Sequence, residues 1–269
     1  MVGTVGTLLA GAQHDFSIYW LLVARVGGFW SAAPVLGSQI VPTAVKAPAV
    51  AVLALAMLPV VTSGPGGAAA VAAAIPTAIL PYAGLVVREL VLGLALGFLA
   101  QVVLVAVQVG GQLIDVQMGF SVVNVIDPTY GQSVPLMGEF LLTAGLVVFL
   151  LVGGDHLLIS ALALSYRAVP LGAPSPLLAM GSQSFAALTW AFEAALGVAV
   201  PILGVGVIVN LGLGLLGRAA PQLNILATGL PAQILFGIAT LMVALPGIMA
   251  VLAQMAPQSY QQMVQLLGR

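Results

Sequence analysis

Charged side chains are rare in this sequence, and those that stand inside apolar runs are the first candidates for chemistry. Arg25, Asp115 and Glu193 each lie within or beside such a run. An ionisable group at membrane depth is costly, so by default it indicates a proton or ion path or a charge partner. For Arg25 and Glu193 two interpretations stay open, pairing between helices of one chain and pairing between subunits.

Two further charged pairs, Arg88-Glu89 and Asp155-His156, stand at junctions between apolar segments. Groups at such junctions can reach water or pair across neighbouring helices without a functional role. We interpret both pairs in this structural sense.

Asp115 admits a functional interpretation as a proton relay, because transporters place carboxylates inside membranes. Its surroundings favour another one, since no second carboxylate lies within one helical turn. The neighbouring Gln117, Met118, Gly119 and Phe120 suit a flexible segment that faces a pore. Taken alone, Met118 and Phe120 fit core packing better than a gate, because Met packs adaptably and Phe fills volume.

Motifs for catalysis are missing from the sequence. It contains no H-E-x-x-H helix, no G-x-S-x-G elbow and no Gly-rich Lys loop, so zinc hydrolysis, acyl transfer and nucleotide hydrolysis lack their groups. The two histidines, His14 and His156, are far apart, and cysteine is absent. We therefore predict no enzyme, no catalytic residues, no metal site and no cofactor.

The amino-acid composition predicts that this chain lies within a lipid membrane. Hydrophobic residues make up 61% and charged residues 5%, with a mean hydropathy of +1.20, whereas soluble domains carry about 25% charged residues. Because open sheets cannot leave backbone groups unpaired in lipid and period-2 alternation is absent, the fold class is all-α, a polytopic helical membrane protein. Six Lys/Arg against seven Asp/Glu leave no basic patch, which excludes nucleic acid as a partner.

Apolar segments separated by Gly, Pro and polar residues predict about six to eight helices. The Leu90–Val109 segment carries Gly93 and Gly97 in the G-x-x-x-G spacing that lets another helix approach closely. Glycines, amides and carboxylates interrupt the apolar pattern from Gly110 to Pro135. Phe185–Leu216 and Leu223–Leu252 flank a tight turn with Pro221, which predicts a C-terminal helical hairpin. The first residues lack the Lys/Arg start of a signal peptide, so we expect no cleaved signal.

Six blocks in this order resemble the FliR family, the export-gate subunit of flagellar type III systems, known as the T component in virulence systems. The blocks are Ala24–Gly28, Arg88–Gly93, Gly110–Phe120 continued by Asp127-Pro128, Gly153–His156, Pro170–Gly172, and Gly214–Asn224 with its R-x-A-P-Q-L signature. Asp155, which precedes the family's usual His, is a small departure.

The resemblance implies a single membrane domain over residues 1–269, with a FliP-like part at 1–176 and a FliQ-like hairpin at 177–269. It implies FliP-like and FliQ-like gate subunits as partners, with other type III export apparatus membrane proteins and exported flagellar proteins. The location would be the bacterial inner membrane, in the flagellar basal body. No cofactor is implied.

A plug that blocks the pore at rest is a further implication of the resemblance. The plug or gate residues would be Gly110, Gly111, Gln112, Asp115, Gln117, Met118, Gly119, Phe120, Asp127 and Pro128. Contacts for assembly are expected at Arg25, Gly93, Gly97, Glu193, Arg218 and Pro221. The alternatives are a virulence injectisome gate subunit, a structural membrane scaffold, and a secondary transporter, for which no inverted repeat is seen.

Overall fold

The computed structural model describes residues 2–34, 42–63, 78–120, 135–173, 177–222 and 224–267, with positions 37, 71, 73, 75 and 76. Side chains are described from residue 16 onward, except those of residues 177–184, 225 and 226. This part of the chain contains helices and no strand, which confirms the all-α prediction. The helices are α1 (Val2–Ala32), α2 (Thr43–Thr62), α3 (Ile79–Gln117), α4 (Leu136–Leu151), α5 (Gly154–Ala168), α6 (Leu177–Ala219) and α7 (Ile225–Leu266).

Four helices of the described residues are long and apolar enough to cross a membrane. They are α2, α3, the part of α6 from Phe185 and the part of α7 from Ala227. A fifth span is formed if α4 and α5 count as one, since they meet at an angle of 69°. Gly153 makes this bend with φ of 79°, a conformation that glycine adopts without steric cost.

Two glycine pairs lie inside helices rather than at their ends. α1 runs through Gly27-Gly28, and α3 runs through Gly110-Gly111 to Gln117. The reason is close packing, because a methyl group on Gly110 would lie 2.8 Å from the carbonyl oxygen of Ala195. The predicted interruption therefore begins after Gln117 rather than at Gly110.

The chain divides into two compact units. The first unit comprises Met1–Gln101, Gly154–Ala187 and Pro257–Arg269, and the second comprises Val102–Gly153 and Leu188–Ala256. Each unit thus combines segments that are distant in sequence. The long helix α3 contributes to both.

The core of the first unit is built where α1 meets the first half of α3. Methyl groups on Gly28 or Gly93 would overlap the backbone of the opposite helix, and one on Gly97 would lie 2.5 Å from the carbonyl oxygen of Phe29. The G-x-x-x-G spacing of α3 thus brings the chain's own α1 into contact, and both helices bury apolar side chains there. Fully buried examples are Leu21, Leu22, Val26, Phe29, Leu92 and Leu96.

The core of the second unit combines the second half of α3 with α4, α6 and α7. Its largest contribution comes from one face of α3, which includes Val103, Val107, Ile114 and Met118. Such packing, rather than helix propensity, supplies most helical stability. The opposing residues include Leu141 of α4, Ala195, Val198 and Ile202 of α6, and Leu241, Ile248 and Leu252 of α7.

Candidate functional site

The first cluster of polar groups surrounds Arg25, whose side chain is fully buried in the first unit. Its Nε and Nη2 lie 2.6 Å and 2.5 Å from Oε2 of Glu89, which is also fully buried. Nη1 donates to Oγ of Ser165 at 3.3 Å, and Nη2 donates to the carbonyl of Val169 at 3.0 Å. The guanidinium carbon lies 4.3 Å from the ring centroid of Tyr166, within cation–π range. The cluster joins α1, α3 and the C-terminal end of α5.

This pairing answers the question that the sequence left open for Arg25. Its charge partner is Glu89 of the same chain, so the contact does not need a second subunit. A buried ion pair is weak evidence for net stability, but removing one partner leaves an uncompensated buried charge. Arg88 lies nearby, with Nη2 3.8 Å from the other carboxylate oxygen of Glu89.

The second cluster lies in the second unit, where α3 approaches the start of α4. Asp115, only 4% exposed, accepts hydrogen bonds from the backbone N–H groups of Met137 at 2.9 Å and Gly138 at 3.0 Å. These donors belong to the first turn of α4, which has no partner for them within the helix. Pro135 at the N-cap position makes no side-chain cap. Asp115 therefore caps a neighbouring helix.

The same two helices are joined by further contacts. A methyl group on Gly111 would lie 2.6 Å from the Cα of Gly138, so the backbones nearly touch. Gln108 Nε2 donates to Oε1 of Glu139 at 3.2 Å. The exposed Gln112 lies on the same stretch of α3.

The end of α3, residues 110–120, comprises the last turns of this helix and the three residues that follow it. The N–H of Met118 still donates to the carbonyl of Ile114, and Gly119 then adopts φ of 80°. A left-handed glycine is a common way to end a helix. Met118 is 1% exposed in the core of the second unit, and Phe120 packs against that core while partly exposed. Asp127 and Pro128 lie outside the described residues.

The hairpin of α6 and α7 carries the remaining predicted residues. Arg218, in the last turn of α6, Pro221, in the turn, and Glu193 are exposed. Asn224 begins α7 by accepting a hydrogen bond from the N–H of Ala227 at 3.3 Å, as N-cap residues do. The three predicted residues therefore lie where other subunits or lipid can reach them.

Sequence reasoning missed four residues of the hairpin that contact the end of α3 or each other. Gly206 and Gly237 lie against the side chains of Gln117 and Met118, and Gln233 Nε2 donates to Oδ1 of Asn210 at 2.5 Å. The available signal was Asn210 and Gln233 themselves, lone amides in apolar runs. Gly206 and Gly237 could not be singled out from the sequence, because α6 and α7 each contain several other glycines.

These features define the class of the protein. The spans are apolar, the described residues contain no group of three or more His, Cys, Asp or Glu able to hold a metal, and the buried charges are used in contacts between helices. The molecule is a polytopic helical membrane protein whose polar groups hold helices together.

Comparison with known proteins identifies the family. The model of the family described as "Bacterial export proteins, family 1" matches residues 16–258, and the chain belongs to that family. It is 32% identical over 239 residues to the flagellar biosynthetic protein FliR of Escherichia coli K12, covering 86% of this chain and 85% of the relative. The corresponding protein of Bacillus subtilis 168 is 33% identical over 192 residues, 70% of this chain and 73% of the relative.

A virulence relative is also similar to the chain. The secretion system apparatus protein SsaT of Salmonella typhimurium LT2 is 27% identical over 169 residues, which cover 61% of this chain and 64% of the relative. The comparisons confirm the resemblance to the FliR family and the prediction of a flagellar type III export-gate subunit. The chain is a membrane-embedded component of the export apparatus rather than an enzyme.

Proposed function

We propose that the end of α3, residues 110–120, seals the export channel at rest and moves aside when flagellar subunits pass. No bond is made or broken by this protein in that function. Its work is to line, close and open a path for unfolded chains, with the energy supplied by other components.

The observation that carries the proposal is the way this end of α3 is held. Met118 is buried in the core of the second unit, and Asp115 accepts hydrogen bonds from the first turn of α4. The end of α3 is therefore held in one position by the helices packed around it.

The side chains at this position suit a seal. Phe120 is partly exposed beside the buried Met118, and apolar constrictions can close pores by dewetting. Gly119 permits the turn that redirects the chain. A seal of this kind needs no cofactor.

The proposed partners are FliP-like and FliQ-like gate subunits in the bacterial inner membrane. In this assignment residues 1–176 occupy a FliP-like position and residues 177–269 a FliQ-like one, and unfolded flagellar proteins are the cargo. Large apolar side chains are exposed along the hairpin, including Ile208, Leu211, Leu215, Leu235, Met242 and Val243. Lipid or partner helices must cover them.

Two alternatives receive less support. A proton-coupled transporter would use Asp115, yet both of its carboxylate oxygens accept backbone hydrogen bonds. Identity alone does not separate an injectisome gate from a flagellar one, because SsaT at 27% lies within the 26–35% range of the flagellar relatives. The flagellar assignment rests on the longer match, since FliR of Escherichia coli covers 86% of this chain and SsaT covers 61%.

The proposal is tested in cells that carry the chain with its proposed partners. Met118→Ala/Phe120→Ala should let small solutes enter while the complex still purifies with its FliP-like and FliQ-like subunits. Val105→Ala is the control, because Val105 is 42% exposed on the same helix and lies outside residues 110–120. Unchanged uptake by the double variant in an intact complex would refute sealing by these residues.

A further inference from the structure

The end of α3 rests on the hairpin at two glycines that no predicted role uses. A methyl group on Gly206 of α6 would overlap the side chain of Gln117, and one on Gly237 of α7 would lie 2.5 Å from Cγ of Met118. The consecutive side chains of Gln117 and Met118 therefore occupy space that a Cβ atom on either glycine would enter, so a larger residue there would displace them.

Polar contacts surround these two positions. Gly206 and Asn210 are four residues apart on α6, and Gln233 and Gly237 are four residues apart on α7, so each pair shares a helix face. The hydrogen bond from Gln233 to Asn210, 2.5 Å long, joins the two faces. The next residue of α3, Gly119, is so close that a methyl group on it would lie 3.0 Å from Oε1 of Gln233.

The side-chain amide of Gln117 lacks one of the hydrogen bonds that it could make. Its Nε2 is buried and, among the described residues, has no hydrogen-bond partner. A buried amide nitrogen without a partner is unfavourable relative to a hydrogen-bonded one. The side chain of Gln117 therefore fits the space beside Gly206, but its amide nitrogen would gain a hydrogen-bond partner by leaving that space.

We propose that Gly206 and Gly237 form a two-glycine seat that holds Gln117 and Met118 when the gate is closed, and that opening withdraws both side chains from it. This inference rests on the proposed sealing role of the end of α3 and names the residues that set its resting position. The seat fixes the closed state by shape, and the unsatisfied amide of Gln117 keeps that state reversible.

A disulfide lock tests the seat, because the chain contains no cysteine. In the complete gate, Met118→Cys/Gly237→Cys should form a disulfide under mild oxidation, since the two Cβ atoms would lie within about 4 Å and disulfides join Cβ atoms about 3.8 Å apart. Met118→Cys/Gly247→Cys is the matched control, because Gly247 has no neighbour within 4 Å among the described residues. Oxidation should stop export through the locked gate, and reductant should restore it.

Small substitutions at the seat provide a second measurement. Gly206→Ala and Gly237→Ala should each raise resting conductance roughly tenfold, the effect of about 1.4 kcal/mol on the closed state. Gly204→Ala, at a position with open space, should not. Gln117→Ala added to Gly206→Ala should restore sealing, because the shorter side chain leaves room for the new methyl group.

The outcomes separate the seat from the sealing role. No disulfide at Met118/Gly237, or a complete disulfide that leaves export unchanged, would overturn the seat even if Met118→Ala/Phe120→Ala makes the gate leak. Conversely, unchanged conductance of Met118→Ala/Phe120→Ala would refute the sealing role, whatever the disulfide yield. A lock that arrests export reversibly supports both.

Discussion

At the scale of single residues, the buried charges of the described residues hold helices together. Arg25 is satisfied by Glu89, by Ser165 and by the carbonyl of Val169, and Asp115 is satisfied by two backbone N–H groups. A charge in a low-dielectric interior is tolerated when it is paired and hydrogen-bonded. The same geometry makes each group sensitive to substitution.

Glu89→Gln should destabilise the gate strongly, because it leaves the buried charge of Arg25 without its partner. Breaking a buried pair by removing one partner costs about 3–5 kcal/mol, which we expect as a lower melting temperature and lower yield of the purified complex. The apolar double variant Arg25→Met/Glu89→Leu should recover much of that loss. Arg167→Gln is the control, since Arg167 is exposed and contributes under about 1 kcal/mol. Equal melting temperatures for Glu89→Gln and wild type would contradict this account.

Substitutions of Asp115 separate helix capping from proton relay. Asn retains one acceptor oxygen for the first turn of α4, whereas Ala retains none, so capping predicts intermediate export for Asp115→Asn and a severe loss for Asp115→Ala. Hydrogen bonds to a charged group are each worth about 1.5–3 kcal/mol. A relay would lose its titratable group in both variants. Equally complete loss in Asn and Ala variants, with intact assembly, would therefore favour the relay.

At the scale of helices, glycine and proline determine where elements end and where they touch. Gly119 ends α3 through its positive φ, whereas Gly93 and Gly97 allow contact with α1. Pro201 lies inside α6 without ending it. A glycine can thus end a helix or allow another helix to approach, according to its backbone conformation and to the residues packed opposite it.

The turn between α6 and α7 carries a prediction of its own. Arg218 lies in the last turn of α6, where a positive charge is favourable near the helix C-terminus. Arg218→Glu reverses that interaction and removes an anchor for lipid headgroups or for a partner carboxylate. Complex recovery and motility should fall together, while Arg218→Lys should retain most of both. Full recovery of both measurements with Glu would show that Arg218 is only a solvated charge.

Much of the helical architecture followed from the sequence, because composition and the turn at residues 217–222 depend on local chemistry. The membrane class, the hairpin and the G-x-x-x-G contact of α3 were predictable in this way. The capping role of Asp115 was not, since its donors, Met137 and Gly138, come from another helix. The seat at Gly206 and Gly237 was likewise hidden, because contact between helices decides which glycines matter.

At the scale of the whole molecule, the exposed surface is apolar and needs lipid or partner helices to cover it. Exposed large hydrophobic side chains occur on nearly every helix, for example Val52, Leu151 and Leu215. Soluble monomers rarely expose large contiguous apolar surface. Without partners, the chain should be degraded or should aggregate in detergent, as measured by size-exclusion chromatography and pulse-chase labelling. A monodisperse, long-lived monomer would contradict this expectation.

The central claim is that the end of α3 seals the channel, and conductance of the purified gate in a planar bilayer tests it most directly. The wild-type gate and Val105→Ala should remain closed, and Met118→Ala/Phe120→Ala should conduct small ions in a complex of unchanged composition. A double variant as closed as wild type would contradict the claim and leave Met118 and Phe120 as packing residues.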